Sequence, residues 1–445
     1  MTRLTESDVH HYIRGICFKN GPPGRVGIET EWLVTDPADP HRTVPLELLR
    51  ALVDQAGPPP AGSAVTYEPG GQLELSSPPL PGPAAAHAAL AADLAHVGKP
   101  LADAGLRLEG RGLDPHRLPR RQLDLPRYAA MERHFDTGWT GGRTMMCSTA
   151  SIQVCLDIGA DAGDAARRWR LVHRLGPVLT AVFANSPVWR GRPTGWRSAR
   201  WAVWAGLDAT RTRPVDGGDP AAAWAAYALG ARLMAVRGDA GPCPPPARMA
   251  FSDWLAGAGP RPPDHDDLLF HLSTLFPPVR PRGWLELRMI DALPVPWWPV
   301  PAAVAAALLD DPDASAEAER AAEALYRSEP DPARLWLAAA RDALAHPAVA
   351  ACARRCMAAA SRALPRMGAD RLAATVDAYR ERYTERGRCP ADDAEDALAQ
   401  GAGAPPRQGG GIHPGRGDRT APVQRAEEIT PREADAEPTA KGRPR

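Results

Sequence analysis

Four short stretches of this chain alternate acidic or amide side chains with bulky apolar ones. In "VGIETEWLV" an extended backbone puts Glu29 and Glu31 on one face and Ile28, Thr30 and Trp32 on the other, because successive side chains of a strand point to opposite sides. "GQLELSS" sets Gln72, Glu74 and Ser76 against Leu73 and Leu75. "ASIQVCLD" sets Ser151, Gln153, Cys155 and Asp157 against Ile152, Val154 and Leu156, and "GWLELRMID" sets Glu286 and Arg288 against Leu285, Leu287 and Met289. Carboxylate and amide oxygens are hard ligands. With no Cys/His cluster beside them they suit Mg²⁺ or Mn²⁺, and strand-borne carboxylates around such an ion leave room for a nucleotide's phosphates to complete its coordination.

For any one strand, an antiparallel sheet with a wet face explains the pattern as well. For the set that explanation weakens, because carboxylates dominate and cations within the strands are few. Neighbouring carboxylates repel unless something positive stands between them. The Trp, Leu and Ile faces belong under helices, which leaves the carboxylate faces to line a concavity. In "TYEPGGQLELSS" the same logic makes Glu68 and Glu74 ligands at the ends of a bend. Gly70 and Gly71 there either permit close approach of a ligand or form an ordinary turn or bulge.

The elements that must hold these strands fall into two zones. From about residue 25 to 300, strand-like pieces alternate with helical ones and with Pro/Gly-rich loops. From 301 to 399 the chain is Ala-rich with apolar residues at helical spacing, which predicts a helical C-terminal region of one catalytic domain spanning 1–399. Residues 400–445 lose aromatic residues and apolar periodicity and read as a disordered tail, in which the Arg-Gly-Asp at 416–418 is a chance tripeptide.

Across the 445 residues, 53 basic side chains balance 53 acidic ones, so overall charge draws the protein to neither nucleic acid nor membrane. Seven cysteines without a repeated spacing, no apolar leader and no membrane-length apolar run predict a soluble cytoplasmic protein. Cys352 and Cys356 share a helix face without a His partner and read as buried core. His173 and His346 read as structural, and Trp201, Trp204, Trp297 and Trp298 as packing anchors.

Taken in order, "GIETEWLV", "YEPGGQLELSSPP", "TMMCSTASIQVCLD", "FANSPVWRGRPTGWRSARWAVWAGLDATRT", "HLSTLFPPVRPRGWLELRMIDALP", "LWLAAARDAL" and "RGRCPADDA" resemble the glutamate-cysteine ligases of the plant-type branch. Within it they are most similar to bacterial members that feed ergothioneine synthesis. The resemblance spans residues 25 to 395. It implies a glutamine synthetase-like α/β (α+β) fold, a curved and mainly antiparallel sheet with helices on its outer face, and ATP-dependent joining of the glutamate γ-carboxylate to the cysteine amine. It further implies Mg²⁺ as cofactor. The metal-binding carboxylates would be Glu29, Glu31, Glu68, Glu74 and Glu286, with Gln153 as a further ligand; Arg288 would meet the transferred phosphoryl group, and Glu31 and Glu286 would share in catalysis. Arg200, Arg211, Thr149 and Ser151 would bind substrate. Ser148 and Cys155 stand where plant members carry Arg and Asn.

That chemistry matches what the residues offer. A carboxylate must first be activated, and an acyl phosphate made from ATP does so. Metal ions and an arginine then neutralise the gathering phosphoryl oxygens. No covalent enzyme intermediate is needed, so the lack of a Ser-His-Asp or Cys-His arrangement leaves no gap. The resemblance implies L-glutamate, L-cysteine and ATP as substrates and no protein partner. A related ligase with another amine acceptor, and a non-catalytic homologue that binds glutamate or nucleotide, are the alternatives.

Overall fold

The computed structural model describes residues 3–402 apart from 216, 239, 240 and 247. Of the tail expected from residue 400, residues 400–402 instead close the helix Pro390–Ala402; the rest of that segment, with its Arg-Gly-Asp, lies outside the described residues.

Strand β1 (Arg25–Thr35) is the spine of the sheet. Around it stand β2 (Ala64–Tyr67), β3 (Leu73–Ser76), β4 (Leu80–Pro81), β5 (Arg107–Glu109) and β6 (Ser151–Asp157). Strands β7 (Val188–Trp189) and β8 (Arg192–Pro193) form a separate ribbon, and β9 (Val279–Pro281) and β10 (Trp284–Asp291) close the sheet. The order is β2-β3-β1-β6-β10-β9, with β4 and β5 also paired to β1, and all these pairings are antiparallel.

The period-two reading sets which face is which. Ile28, Trp32, Leu73, Leu75, Val154, Leu156, Leu285 and Leu287 are all buried in one core. Helices Gly82–Asp103, Ala162–Val182 and Val300–Asp310 cover that face. The last, "VPAAVAAALLD", is apolar and buried from Val300 to Leu309, while Pro312–Ser328, Pro347–Ala363 and Asp370–Arg382 pack about it. Aspartates start several of these helices: Asp161 accepts from the Asp164 N–H and Asp311 from that of Ala314. Cys352 and Cys356 are both buried on their helix, in keeping with a packing role.

Candidate active site

Register decides which polar residues meet. Glu31 stands opposite Glu74 on β3, Glu29 lies between Ser76 on β3 and Gln153 on β6, and Glu286 stands opposite Cys155. Between Leu287 and Ile290 the pairing with β6 slips by one residue, a bulge that places Arg288 where the sheet is re-aimed. Glu29, Glu31, Glu68, Glu74, Gln153, Thr149, Arg200, Glu286 and Arg288 thereby line one cavity of about 650 Å³.

The diglycine serves a turn and close packing between protein segments. Glu68 N–H donates to the Gln72 carbonyl and Gly71 N–H to that of Glu68, with Gly71 at φ +89°. A side chain at Gly70 would run into the Cys147 carbonyl at 2.0 Å, so the close neighbour there is the protein's own backbone.

Glu31 is held firmly. It accepts from the Ser151 N–H and hydroxyl, both at 2.8 Å, and from Gln153 Nε2 at 3.2 Å. Gln153 bridges, since its Oε1 accepts a short hydrogen bond from Arg288. Arg288 also lies 3.1 Å from Glu286, whose same oxygen receives Arg280 Nε at 2.6 Å. Ser151, expected to bind substrate, is buried, does not line the cavity and orients Glu31 instead, and Gln153, expected as a metal ligand, has its Oε1 engaged by Arg288.

Electrostatics divide the cup in two. Burial pushes Glu29 up to about 7, helped by Glu286 and Glu74. Burial, with Glu74 and Glu31 nearby, raises Glu68 well above its ordinary value, and Glu74 is raised by burial and Glu31. On the β10 side burial also raises Glu286, but Arg280 and Arg288 outweigh it and bring it to about 2. One half is therefore a carboxylate cluster short of positive charge, and the other is an arginine-compensated wall.

The carboxylate half fits a hard divalent cation. Its donors are oxygens, burial and mutual repulsion favour the protonated forms of Glu29, Glu68 and Glu74, which a cation would reverse, and across the cup Glu286 Oε1 is buried without a hydrogen-bond partner. Ligand atoms of Glu29, Cys155 and Glu286 lie within 4.8 Å of one another, although burial and the two glutamates keep the Cys155 thiol protonated.

Arg200 is brought to the cavity by the buried Asp291 at the end of β10. That carboxylate accepts from Asn185 N–H, Ser186 Oγ and Ser198 Oγ, and so folds "NSPVWRGRPTGWRSAR" back onto the sheet. Arg200 donates to the Arg288 carbonyl at 2.9 Å while its Nε is buried and unpartnered. Thr149 lines the cavity with its hydroxyl given to the Met145 carbonyl.

Arg211 is placed elsewhere. Its guanidinium is fully buried and spent on Asp208, the Thr274 carbonyl and the Arg232 carbonyl, and it does not reach the cavity. It ties three segments together instead of facing substrate. Conversely, Arg127, Arg280 and Arg282 line the cavity without having been expected there. The sequence "VRPRGWLELR" held a signal for two of them, because a hairpin about Gly283 sets Arg280 opposite Glu286; helical Arg127 had none.

The cup on this antiparallel sheet sets hard carboxylate oxygens beside arginine guanidinium groups in one cavity. Residues 25–417 match the model of glutamate-cysteine ligase family 2 (GCS2), and the chain belongs to that family. It is 41% identical to glutamate-cysteine ligase EgtA of Mycobacterium tuberculosis strain H37Rv, over 88% of this chain and 90% of that protein. With EgtA of Mycolicibacterium smegmatis it shares 42% over 89% and 93%. The chloroplastic glutamate-cysteine ligase of Arabidopsis thaliana is 33% identical over 52% of this chain and 46% of its own. Among solved structures, a bifunctional glutathione synthetase from Pasteurella multocida aligns at TM-score 0.46 and 15% identity, covering 89% of this chain and 52% of that one.

Proposed function

We propose that the cup joins the γ-carboxylate of L-glutamate to the amine of L-cysteine at the expense of ATP, through γ-glutamyl phosphate. The product would supply ergothioneine or a related low-molecular-weight thiol. The observation that carries the reading is the meeting of Glu29, Glu31, Glu68 and Glu74 with Arg280 and Arg288 in one cavity of a chain belonging to this ligase family.

Glu29, Glu31, Glu68, Glu74 and the Glu286 oxygen that accepts no hydrogen bond would hold a divalent cation, Mg²⁺ or Mn²⁺, which would neutralise triphosphate charge when bound. Arg288, fixed by Gln153 and Glu286, meets the transferred phosphoryl group without having to reorganise. Glutamate's γ-carboxylate oxygen attacks the terminal phosphorus and ADP departs. Arg200, with its unpartnered Nε, holds a substrate carboxylate near that end of the cavity. The cysteine amine then attacks the acyl carbon, and phosphate leaves with the amine proton.

All seven cysteines are free thiols, which suits the cytoplasm as the place of action. No helix among the described residues is long and apolar enough to cross a membrane.

The test is an amine-acceptor screen with purified protein, ATP, Mg²⁺ and glutamate, reading ADP release and product mass together. γ-Glutamylcysteine formed in step with ADP is expected. Product with another amino acid and none with cysteine would keep the ligase chemistry and replace the acceptor.

A further inference from the structure

The floor of the cavity is charged, and its open side carries large apolar side chains beside Arg282. Ile16, Leu269 and Trp284 are 50%, 39% and 38% exposed and all line the same cavity. They come from three elements: the turn Ile13–Cys17, the helix His265–Ser273 and the first residue of β10. These elements are fastened together, since Gly283 N–H donates to the Cys17 carbonyl at 2.9 Å and the Tyr12 and His265 rings meet edge to face at 5.0 Å. Large apolar side chains left open inside a concave site beside polar groups form a surface that a ligand with a flat apolar part would cover.

The strand supplies a ruler. Trp284, Glu286 and Arg288 alternate onto the same face of β10, and four residues of extended chain place Trp284 roughly 13 Å from Arg288. That span suits a nucleoside triphosphate lying with its base at the mouth and its terminal phosphoryl group at Arg288. Arg282 lies over the Trp284 ring, its guanidinium carbon 5.4 Å from the centroid, and its Nη1 is 3.6 Å from Glu286 Oε1, so a base on Trp284 either takes the other ring face or displaces this arginine toward the phosphates.

We propose that Trp284, flanked by Ile16 and Leu269, is the platform on which the adenine of ATP stacks, with Arg282 reaching the phosphates that follow. The inference rests on the ligase reading for its nucleotide. Residues 12–17 precede the family match, which begins at residue 25, so this part of the site is built by a segment outside the match.

Calorimetry with Mg·ADP and with Mg·tripolyphosphate on the full chain separates base from phosphate binding. Trp284→Ala should weaken ADP by about tenfold or more and leave tripolyphosphate unchanged, as loss of one stacking contact predicts, while Trp284→Phe keeps most of the affinity. Ile16→Ala, at a half-exposed position, should weaken ADP less, in the same direction. In turnover the KM for ATP should rise with the ADP dissociation constant, with the KM for glutamate unmoved. Equal ADP affinity in Trp284→Ala and wild type overturns the platform, and so does an equal loss for both ligands, which would locate the damage in the floor. If wild type binds Mg·ADP but forms no γ-glutamyl product, the ligase reading fails and the platform still stands or falls on the calorimetry.

Discussion

Arg288 and Arg211 show how one side-chain type takes two roles. The first is presented by a bulge to an open cavity; the second is sealed among carbonyls. Arg288→Lys should lower kcat by roughly 10²-fold, because lysine keeps the charge but loses the planar fork and cannot hold Gln153, Glu286 and a phosphoryl group together. Steady-state kinetics check this, and a defect confined to the glutamate KM would move Arg288 to the substrate carboxylate. Arg211→Gln should instead cost about 3 kcal/mol of stability, since it leaves the buried Asp208 short of a partner, while the KM for glutamate in the folded fraction stays at the wild-type value. Denaturant unfolding and kinetics on the same preparation distinguish the two roles. Sequence alone could not separate them. A motif fixes where an arginine stands along the chain, whereas its burial among carbonyls depends on Thr274 and Arg232, far away in sequence.

At the scale of elements, alternation within a strand was legible because a period of two has one structural outcome. Glu29, Glu31, Glu74, Gln153 and Glu286 all face the cup as the pattern required. Pairing between strands was less legible: the Arg280–Glu286 contact follows from hairpin register, and the bulge at Arg288 has no local signature. The helix His265–Ser273 makes a separate prediction. Its His271 is buried, donates to the Ala228 carbonyl at 2.8 Å, stacks on Phe251, and is held by burial down at about 3. The unfolded chain takes up that proton near pH 6.5 and the folded chain does not. Stability is therefore lost as pH falls below 6.5, by about 2 kcal/mol between pH 7 and pH 5 from this group. His271→Gln keeps a donor for Ala228 and cannot titrate, so urea unfolding across this range should show a shallower acid limb; an unchanged limb would remove His271 as its source.

Over the whole molecule, the carboxylate half of the cup is a cost that the packed sheet and helices must carry. Glu31 and Glu74 face each other across β1 and β3, and Glu68 adds a third half-buried carboxyl whose charge is opposed by both. Proteins hold such mutually repelling groups where a ligand's charge completes them, and removing one charge then trades function for stability. Glu74→Gln keeps the shape and can still accept from Thr66 Oγ1, which donates to Glu74 at 2.6 Å, so repulsion falls without a new cavity. In chelator the variant should unfold about 1 kcal/mol later than wild type, within the range of single-charge changes at such sites. Added Mg²⁺ at ten times its dissociation constant should raise wild-type stability by about 1.4 kcal/mol through mass action, and raise the variant by clearly less. Turnover of the variant should fall steeply at limiting Mg²⁺ and recover in part at high Mg²⁺. Thermal unfolding with and without Mg²⁺, run beside the activity assay, reads all three. A variant less stable than wild type in chelator, yet equally stabilised by Mg²⁺, would mean that Glu74 serves packing and that the cation is held by the other carboxylates.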